Sequence, residues 1–227
     1  MIHFEKELIL AKEAAIAAGK ILLSEKKHLN HSIYSSHKDI KLKADIKAED
    51  LIKNILNTNS KFPILAEESG KSSKNLGEIF WVVDPLDGTK EFIKKNGEFT
   101  VNIALIHNQK SIAGVVYAPV LDKMYYAIKE EGAYIIKDNE LVSLVANKYH
   151  KTDSHLKIVC SRSHLNDATQ AFLNDYTLPK LISKGSSLKF LMLAEGRADL
   201  YPRLAPTMEW DTAAAHIILT ESGGHIS

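Results

Sequence analysis

At 227 residues, with 45% hydrophobic and 25% charged side chains, the chain has the make-up of an ordinary compact protein, which excludes disorder and fibrous or repeat architectures. Its 29 basic and 28 acidic residues nearly cancel, so no net field draws nucleic acid or a membrane surface, and any attraction for an anion must be local. The one cysteine, Cys160, excludes an intramolecular disulfide and reads as a buried structural thiol in a reducing compartment.

Met1 to Leu10 carry Glu5, Lys6 and Glu7 in place of a basic region followed by an apolar core, so they do not read as a signal peptide. No apolar run approaches the ~20 residues that span a bilayer. A cytoplasmic protein without an integral membrane segment is expected. From Phe4 to Lys27, Phe4, Leu8, Ala11, Ala15, Ala18 and Leu22 recur on one helical face. A second amphipathic helix is predicted from Ala44 to Asn57, with Asp45 at its beginning.

Phe62 to Ala66 and Ile79 to Val83 are short apolar runs that end in carboxylates and read as strands buried on both faces. Thr100–Ile106, Ile112–Tyr117, Lys123–Ile128 and Gly132–Ile136 predict an antiparallel meander. After Asp138 strands and helices alternate: Lys157–Cys160, a helix near Leu165–Asp175, Leu188–Glu195, Asp199–Tyr201 and Asp211–Thr220. That change marks two parts, 1–138 with an antiparallel sheet and 139–227 with an α/β layer, sharing a packed interface.

Chemistry concentrates in Trp81-Val82-Val83-Asp84-Pro85-Leu86-Asp87-Gly88-Thr89-Lys90-Glu91-Phe92. A buried strand ends in Asp84, Pro85 fixes the turn, and Asp87 follows with a glycine behind it. Two carboxylates converging at one strand end suit a hard divalent cation, and magnesium is commonly held by a few carboxylates plus phosphate oxygens. Gly88 permits close backbone approach, so its amide and that of Thr89 are placed to meet a phosphate. Asp-Pro and Asp-Gly are also common turn pairs. Leu65-Ala66-Glu67-Glu68-Ser69 repeats the carboxylate pattern at another strand end, with a solvated turn as its alternative.

These segments resemble the inositol monophosphatase superfamily of lithium-sensitive phosphatases, and within it the bacterial 3'(2'),5'-bisphosphate nucleotidases. The likeness rests on Leu-Ala-Glu-Glu-Ser at 65–69, Asp-Pro-Leu-Asp-Gly-Thr-Lys-Glu-Phe at 84–92 and Gly-Glu-Phe-Thr-Val-Asn-Ile-Ala-Leu at 97–105. It extends through Gly-Val-Val-Tyr-Ala-Pro at 114–119, Ser-Arg-Ser-His at 161–164, Gly-Ser-Ser-Leu-Lys-Phe at 185–190 and Trp-Asp-Thr-Ala-Ala at 210–214. In order and spacing they span nearly the whole chain.

The resemblance implies a layered α-β-α-β-α sandwich, α+β grading into α/β, and a magnesium-dependent phosphatase with two or three ions per site. Carried over residue by residue, it makes Glu67, Asp84 and the Leu86 carbonyl ligands of one ion and Asp84, Asp87 and Asp211 ligands of a second. Gly88 and Thr89 would cradle the scissile phosphate. The Thr89 hydroxyl, paired with a carboxylate for which Asp45 is the candidate, would orient the attacking water, with Glu67 beside them in catalysis. Asp211 also reads as the N-cap of the last helix, and both roles are expected together. No histidine spacing suggests zinc, so His164 and His216 are expected to be structural or to lie near substrate.

The implied substrate is adenosine 3',5'-bisphosphate, hydrolysed to AMP and phosphate, with its 5'-phosphosulfate relative as a second substrate and a link to sulfur assimilation. Lys90-Glu91 after Gly88-Thr89, together with Ser186, Lys189 and Arg203 in the nucleotidase-like segments, support that choice. A second phosphate needs its own counter-charge, which Lys189 or Arg203 supplies unless they are solvated surface cations. Glu67, Leu86, Asp87 and Asp211 are expected to face the substrate as well as the metal. The partner is thus a nucleotide bisphosphate, and the protein a monomer or homodimer, with peripheral inner-membrane association left open. The alternatives are an inositol or sugar monophosphatase of the same superfamily and an inactive homologue that binds metal and phosphate. Two departures stand out. His37 to Asp45 lacks the family's Ser-Pro-x-Thr, and relatives are expected to continue beyond Gly223-Gly224-His225-Ile226-Ser227 by a strand pair and tail.

Overall fold

Alanines at 11, 14, 15 and 18 give the first helix, α1 (Glu5–His28), a flat buried stripe that lets a neighbour approach closely. The neighbour is α2 (His37–Asn59), which buries Ala44, Ala48, Ile52 and Leu56. In this computed structural model, residues 4–28, 37–70, 76–161 and 167–227 are described. Arg162, Ser163 and His164, and the first residues of the helix expected from Leu165, lie outside them. Helix α2 starts at His37, seven residues before the expected Ala44, so Asp45 sits in its interior and not at its beginning.

A seven-stranded sheet in the order β1-β2-β3-β4-β5-β6-β7 follows. Its strands are β1 (Ile64–Ala66), β2 (Ile79–Asp87), β3 (Thr100–His107), β4 (Lys110–Ala118), β5 (Lys123–Ile128), β6 (Ala133–Lys137) and β7 (Glu140–Ser143). Strand β1 runs parallel to β2, and every other neighbouring pair is antiparallel, so the expected meander is present. A short helix, α3 (Thr89–Ile93), links β2 to β3. Strand β7, exposed along its whole length, has no apolar face to announce it and escapes the sequence pattern.

Because side chains alternate across a strand, Trp81, Val83, Ile103, Leu105 and Val115 face α1 and α2. Val82, Ala104, Val116 and Ala127 face α5 (Leu188–Ala194) and α6 (Glu209–Glu221). Below α5, β8 (Lys157–Ser161) pairs in parallel with β9 (Lys180–Lys184) and packs on α4 (Asp167–Leu173) through Ile158, Cys160 and Leu173. Val159 of β8 meets Met192 of α5 on the other side. The layers are therefore α-β-α-β-α. Cys160 is buried, as expected, and burial raises its thiol pKa. Asp199–Tyr201 forms no strand; a single bridge joins Leu200 to Ile158. Strand β9 was not anticipated, since Lys-Leu-Ile-Ser-Lys carries a cation at each end and is half exposed. No helix among the described residues is long and apolar enough to cross a membrane.

Candidate active site

Strand β2 does not stop at Val83. It continues through Pro85 to Asp87 around a bulge: Asp84 pairs with Asn102 and Asp87 with Thr100, three steps on one strand against two on the other. In an unbroken strand residues three apart point to opposite faces. The extra residue restores the parity, and Pro85, which has no amide to donate, is tolerated at such an irregularity. Asp84 and Asp87 thereby converge from one strand.

Asp211 joins them from the first turn of α6. One carboxylate oxygen from each of Asp84, Asp87 and Asp211 lies within 4.8 Å of the others. Asp211 is not the N-cap. It occupies the third helical position, where its Oδ2 accepts the Met208 amide at 3.0 Å and the Thr207 hydroxyl at 2.7 Å. That is the reach-back half of a capping box, so the helix start orients the carboxylate.

Glu67 follows β1, and its amide donates to the Val83 carbonyl at 3.2 Å, which sets it beside Asp84. Asp84 is 1% exposed. Its Oδ1 accepts the Leu86 amide at 2.9 Å, while Oδ2 is buried with no donor facing it. Burial, then the negative charges of Asp87, Glu67 and Asp211, hold its pKa well above the usual carboxylate range. A buried carboxylate oxygen without a donor, ringed by three more carboxylates, is unfavourable unless a cation neutralises the group. The donor set consists only of hard oxygens and fits magnesium.

Asp87 is held by residues that sequence reasoning did not single out. The Ser187 amide and hydroxyl donate to its Oδ2 at 2.6 and 2.7 Å, and Asn102 donates to the Ser187 hydroxyl oxygen at 2.9 Å. Burial raises the Asp87 pKa, and the Lys189 ammonium opposes the rise. Ser187 stood one residue from the expected Ser186, within the same recognised segment. Glu49, equally unanticipated, is a buried carboxylate on α2 that accepts the Glu68 and Ser69 amides.

Gly88 adopts a left-handed conformation, φ 89°, and a Cβ there would lie 2.9 Å from the Glu98 carbonyl oxygen and 3.0 Å from the Ser186 Cβ. Only glycine fits. Thr89 opens α3, with its hydroxyl 3.5 Å from the Leu86 carbonyl oxygen. Helix α2 touches α3, and its Asp45 is 1% exposed.

Beside the carboxylates lies a cavity of about 240 Å³ lined by Asp87, Gly88, Thr89, Lys90, Ser186, Lys189, Tyr201, Arg203 and Asp211. Ser186, at φ 48°, turns its carbonyl toward Lys189, whose Nζ donates to it at 2.6 Å. Lys189 is buried, which lowers its pKa against the pull of Asp87. Arg203 is exposed and donates to the Tyr201 hydroxyl at 3.4 Å and to the Pro206 carbonyl at 3.2 Å. His216 is exposed on α6.

Known proteins are similar to this chain in sequence and fold. A 3'(2'),5'-bisphosphate nucleotidase CysQ from Salmonella typhimurium is 45% identical over 192 residues, covering 81% of this chain and 74% of that protein. The crystal structure of CysQ from Bacteroides thetaiotaomicron, 39% identical, superposes with a TM-score of 0.80 over 97% of this chain and 88% of its own. An inositol monophosphatase from Anabaena, 26% identical, gives 0.77 over 97% and 82%. The model of the Inositol monophosphatase family matches residues 4–227. With its sheet, helices and acidic cluster in that order, the chain belongs to the inositol monophosphatase family.

Proposed function

We propose that the chain is a 3'(2'),5'-bisphosphate nucleotidase that removes the 3'-phosphate of adenosine 3',5'-bisphosphate, with the 5'-phosphosulfate analogue as a further substrate. The observation that carries this reading is the buried, donor-free Oδ2 of Asp84 beside Glu67, Asp87 and Asp211, at the edge of a cavity that also holds Lys189 and Arg203. The likeness to CysQ proteins over 81% of the chain supports the substrate class.

Glu67, Asp84, Asp87, Asp211 and the Leu86 carbonyl would hold magnesium, two or three ions per site. Bound there, the ions would offset the charge of the phosphate and lower the pKa of the attacking water. The remaining work falls to the chain. The amides of Gly88 and Thr89 bind phosphate oxygens, a role for which the glycine's freedom is needed. The Thr89 hydroxyl, backed by Asp45, orients the water for in-line attack. Ser187 and Asn102 keep Asp87 fixed. Tyr201 closes one wall, and Arg203, with guanidinium donors beyond the two already engaged, meets the second phosphate. Lys189 adds positive charge from below, its ammonium shared between Ser186 and the cavity. We place the reaction in the cytoplasm, where a lone buried thiol such as Cys160 stays reduced.

Phosphate release from adenosine 3',5'-bisphosphate and from inositol 1-phosphate, each with Mg2+, tests the assignment. Faster release from the nucleotide, with AMP as the organic product, supports it. Equal or faster turnover of the inositol ester overturns it.

A further inference from the structure

Helix α2 carries a second buried carboxylate one turn after Asp45. Glu49 is 2% exposed. Its Oε2 accepts the Glu68 amide at 2.8 Å, and its Oε1 accepts the Ser69 amide at 3.0 Å together with the Ser69 hydroxyl. Lys53, one helical turn on, lies 3.7 Å from Oε1 and donates to the Ser69 hydroxyl oxygen at 3.3 Å. A buried carboxylate is unfavourable unless its lone pairs are filled. Here the filling donors are consecutive main-chain groups directly after Glu67, so Glu49 is satisfied only when residues 67–69 hold one backbone conformation.

That conformation is already constrained on its other side. The Glu67 amide donates to Val83, and an antiparallel bridge joins Ala66 to Gly70. The turn is thus pinned to β2 at one end and to α2 through Glu49 at its crest. Charge-assisted bonds to amides are the stronger kind, and those to Glu49 come from the two residues that directly follow Glu67.

We propose that Glu49 is a positioning residue for the metal centre: by fixing the Glu68 and Ser69 amides it sets the direction of the Glu67 carboxylate toward Asp84. This rests on the reading of Glu67 and Asp84 as metal ligands. Groups that orient ligands commonly change metal affinity by about 10–100-fold when removed. A carboxylate that merely fastened a surface turn would alter stability and leave affinity alone.

The test is calorimetric titration of the whole protein with Mn2+ as probe, alongside the Mg2+ dependence of phosphate release and the melting temperature. For Glu49→Gln, which keeps the shape but replaces one of the two accepting oxygens with an NH2 donor, the Mn2+ dissociation constant rises roughly tenfold. The Mg2+ needed for half-maximal rate rises by the same factor, and added Mg2+ recovers most of the lost rate. An unchanged dissociation constant, with or without a lower melting temperature, overturns the proposal. Should Glu49→Gln not fold, Ser69→Ala removes one bond to the same carboxylate at an exposed position; a several-fold rise supports the proposal and parental affinity overturns it. Glu67→Gln and Asp84→Asn separate the two readings. Parental Mn2+ binding in both would show that the metal assignment itself fails, and the proposal would fall with it.

Discussion

Gly114 of β4 and Ala214 of α6 approach so closely that a Cβ added to Gly114 would lie 2.6 Å from the Ala214 carbonyl oxygen. The contact has a sequence cause on both sides. Gly114 pairs with Ala104 on β3 and Ala127 on β5, a row of small residues across three strands, and α6 answers with Ala214 and Ala215. Ser111 then fastens the helix by donating to the Ala213 carbonyl at 2.8 Å. The first turn of the same helix carries Asp211, so this approach sets the height of that carboxylate above the sheet.

Gly114→Ala is therefore expected to do two things. The added Cβ meets the Ile217 Cγ2 at 2.5 Å as well as the Ala214 backbone, which cannot rotate away, so overpacking costs about 1–3 kcal/mol. Lifting α6 also withdraws Asp211, so the Mg2+ concentration for half-maximal activity rises. Denaturant unfolding and a Mg2+ titration of phosphate release check both. Parental values in each would show that α6 tolerates displacement.

Asp84→Asn removes one charge from the crowded carboxylates and one ligand from the proposed centre. In chelator the variant is expected to melt higher than the parent, because a buried charge without a donor on Oδ2 is gone. Its turnover falls by roughly a hundredfold or more, about 2.7 kcal/mol of transition-state stabilisation. Thermal melting with and without Mg2+, paired with a rate assay, separates the opposite effects.

Arg203 and Lys189 differ in what they are attached to, and their variants should differ in kind. Arg203→Ala leaves an exposed position and is expected to raise KM for adenosine 3',5'-bisphosphate roughly tenfold, about 1.4 kcal/mol, with little change for a simple monophosphate or in melting temperature. Lys189→Ala opens a buried gap under Ser186 and strips Asp87 of its nearest cation. It should lower melting temperature and turnover of both substrates. Kinetics on the two esters distinguish a recognition residue from a packing one.

Two buried tyrosines make the fold sensitive to alkali. Burial and the neighbouring Asp122, which accepts the Tyr117 hydroxyl at 2.9 Å, push the Tyr117 pKa up to about 12. Tyr125, donating to Glu195 at 2.7 Å, is raised as well. A folded pKa above the unfolded value of about 10 means that the unfolded chain loses its proton first. The stabilisation is complete below pH 10 and is lost as pH rises toward 12. Tyr117→Phe should be less stable at neutral pH by about 1 kcal/mol and decline less steeply above pH 10. Urea unfolding across that range reads both slopes.

Much of this was legible in the sequence where a residue's chemistry and its periodicity agreed. Apolar residues at helical spacing showed α1, and the run of short apolar segments after Thr100 showed β3 to β6. Asp84, Asp87 and Asp211 were expected together, and they converge. What stayed hidden required knowledge of partners distant in the chain. Pro85 inside β2 reads as an end, because the bulge that accommodates it depends on pairing with β3. Glu49 looks like any polar residue of an amphipathic helix until the turn at 67–69 folds over it. Ser187 and Asn102 carry no sequence signal of their own; their meaning lies in bonds to each other and to Asp87. The N-cap reading of Asp211 missed by three positions because Met208, which has no capping oxygen in its side chain, begins the helix.

The bonds from Ser187 to Asp87 join residues 100 apart in the chain, and this bears on the order of folding events. Closing so long a loop is entropically unfavourable and gains little until the sheet that carries Asp87 already exists. Completion of the acidic cluster is therefore expected late, after a folding transition state formed around α1, α2 and the meander. An ion held by Asp87 and Asp211 would stabilise contacts absent from that transition state. It should lengthen the lifetime of the native protein many-fold while leaving the refolding rate almost untouched.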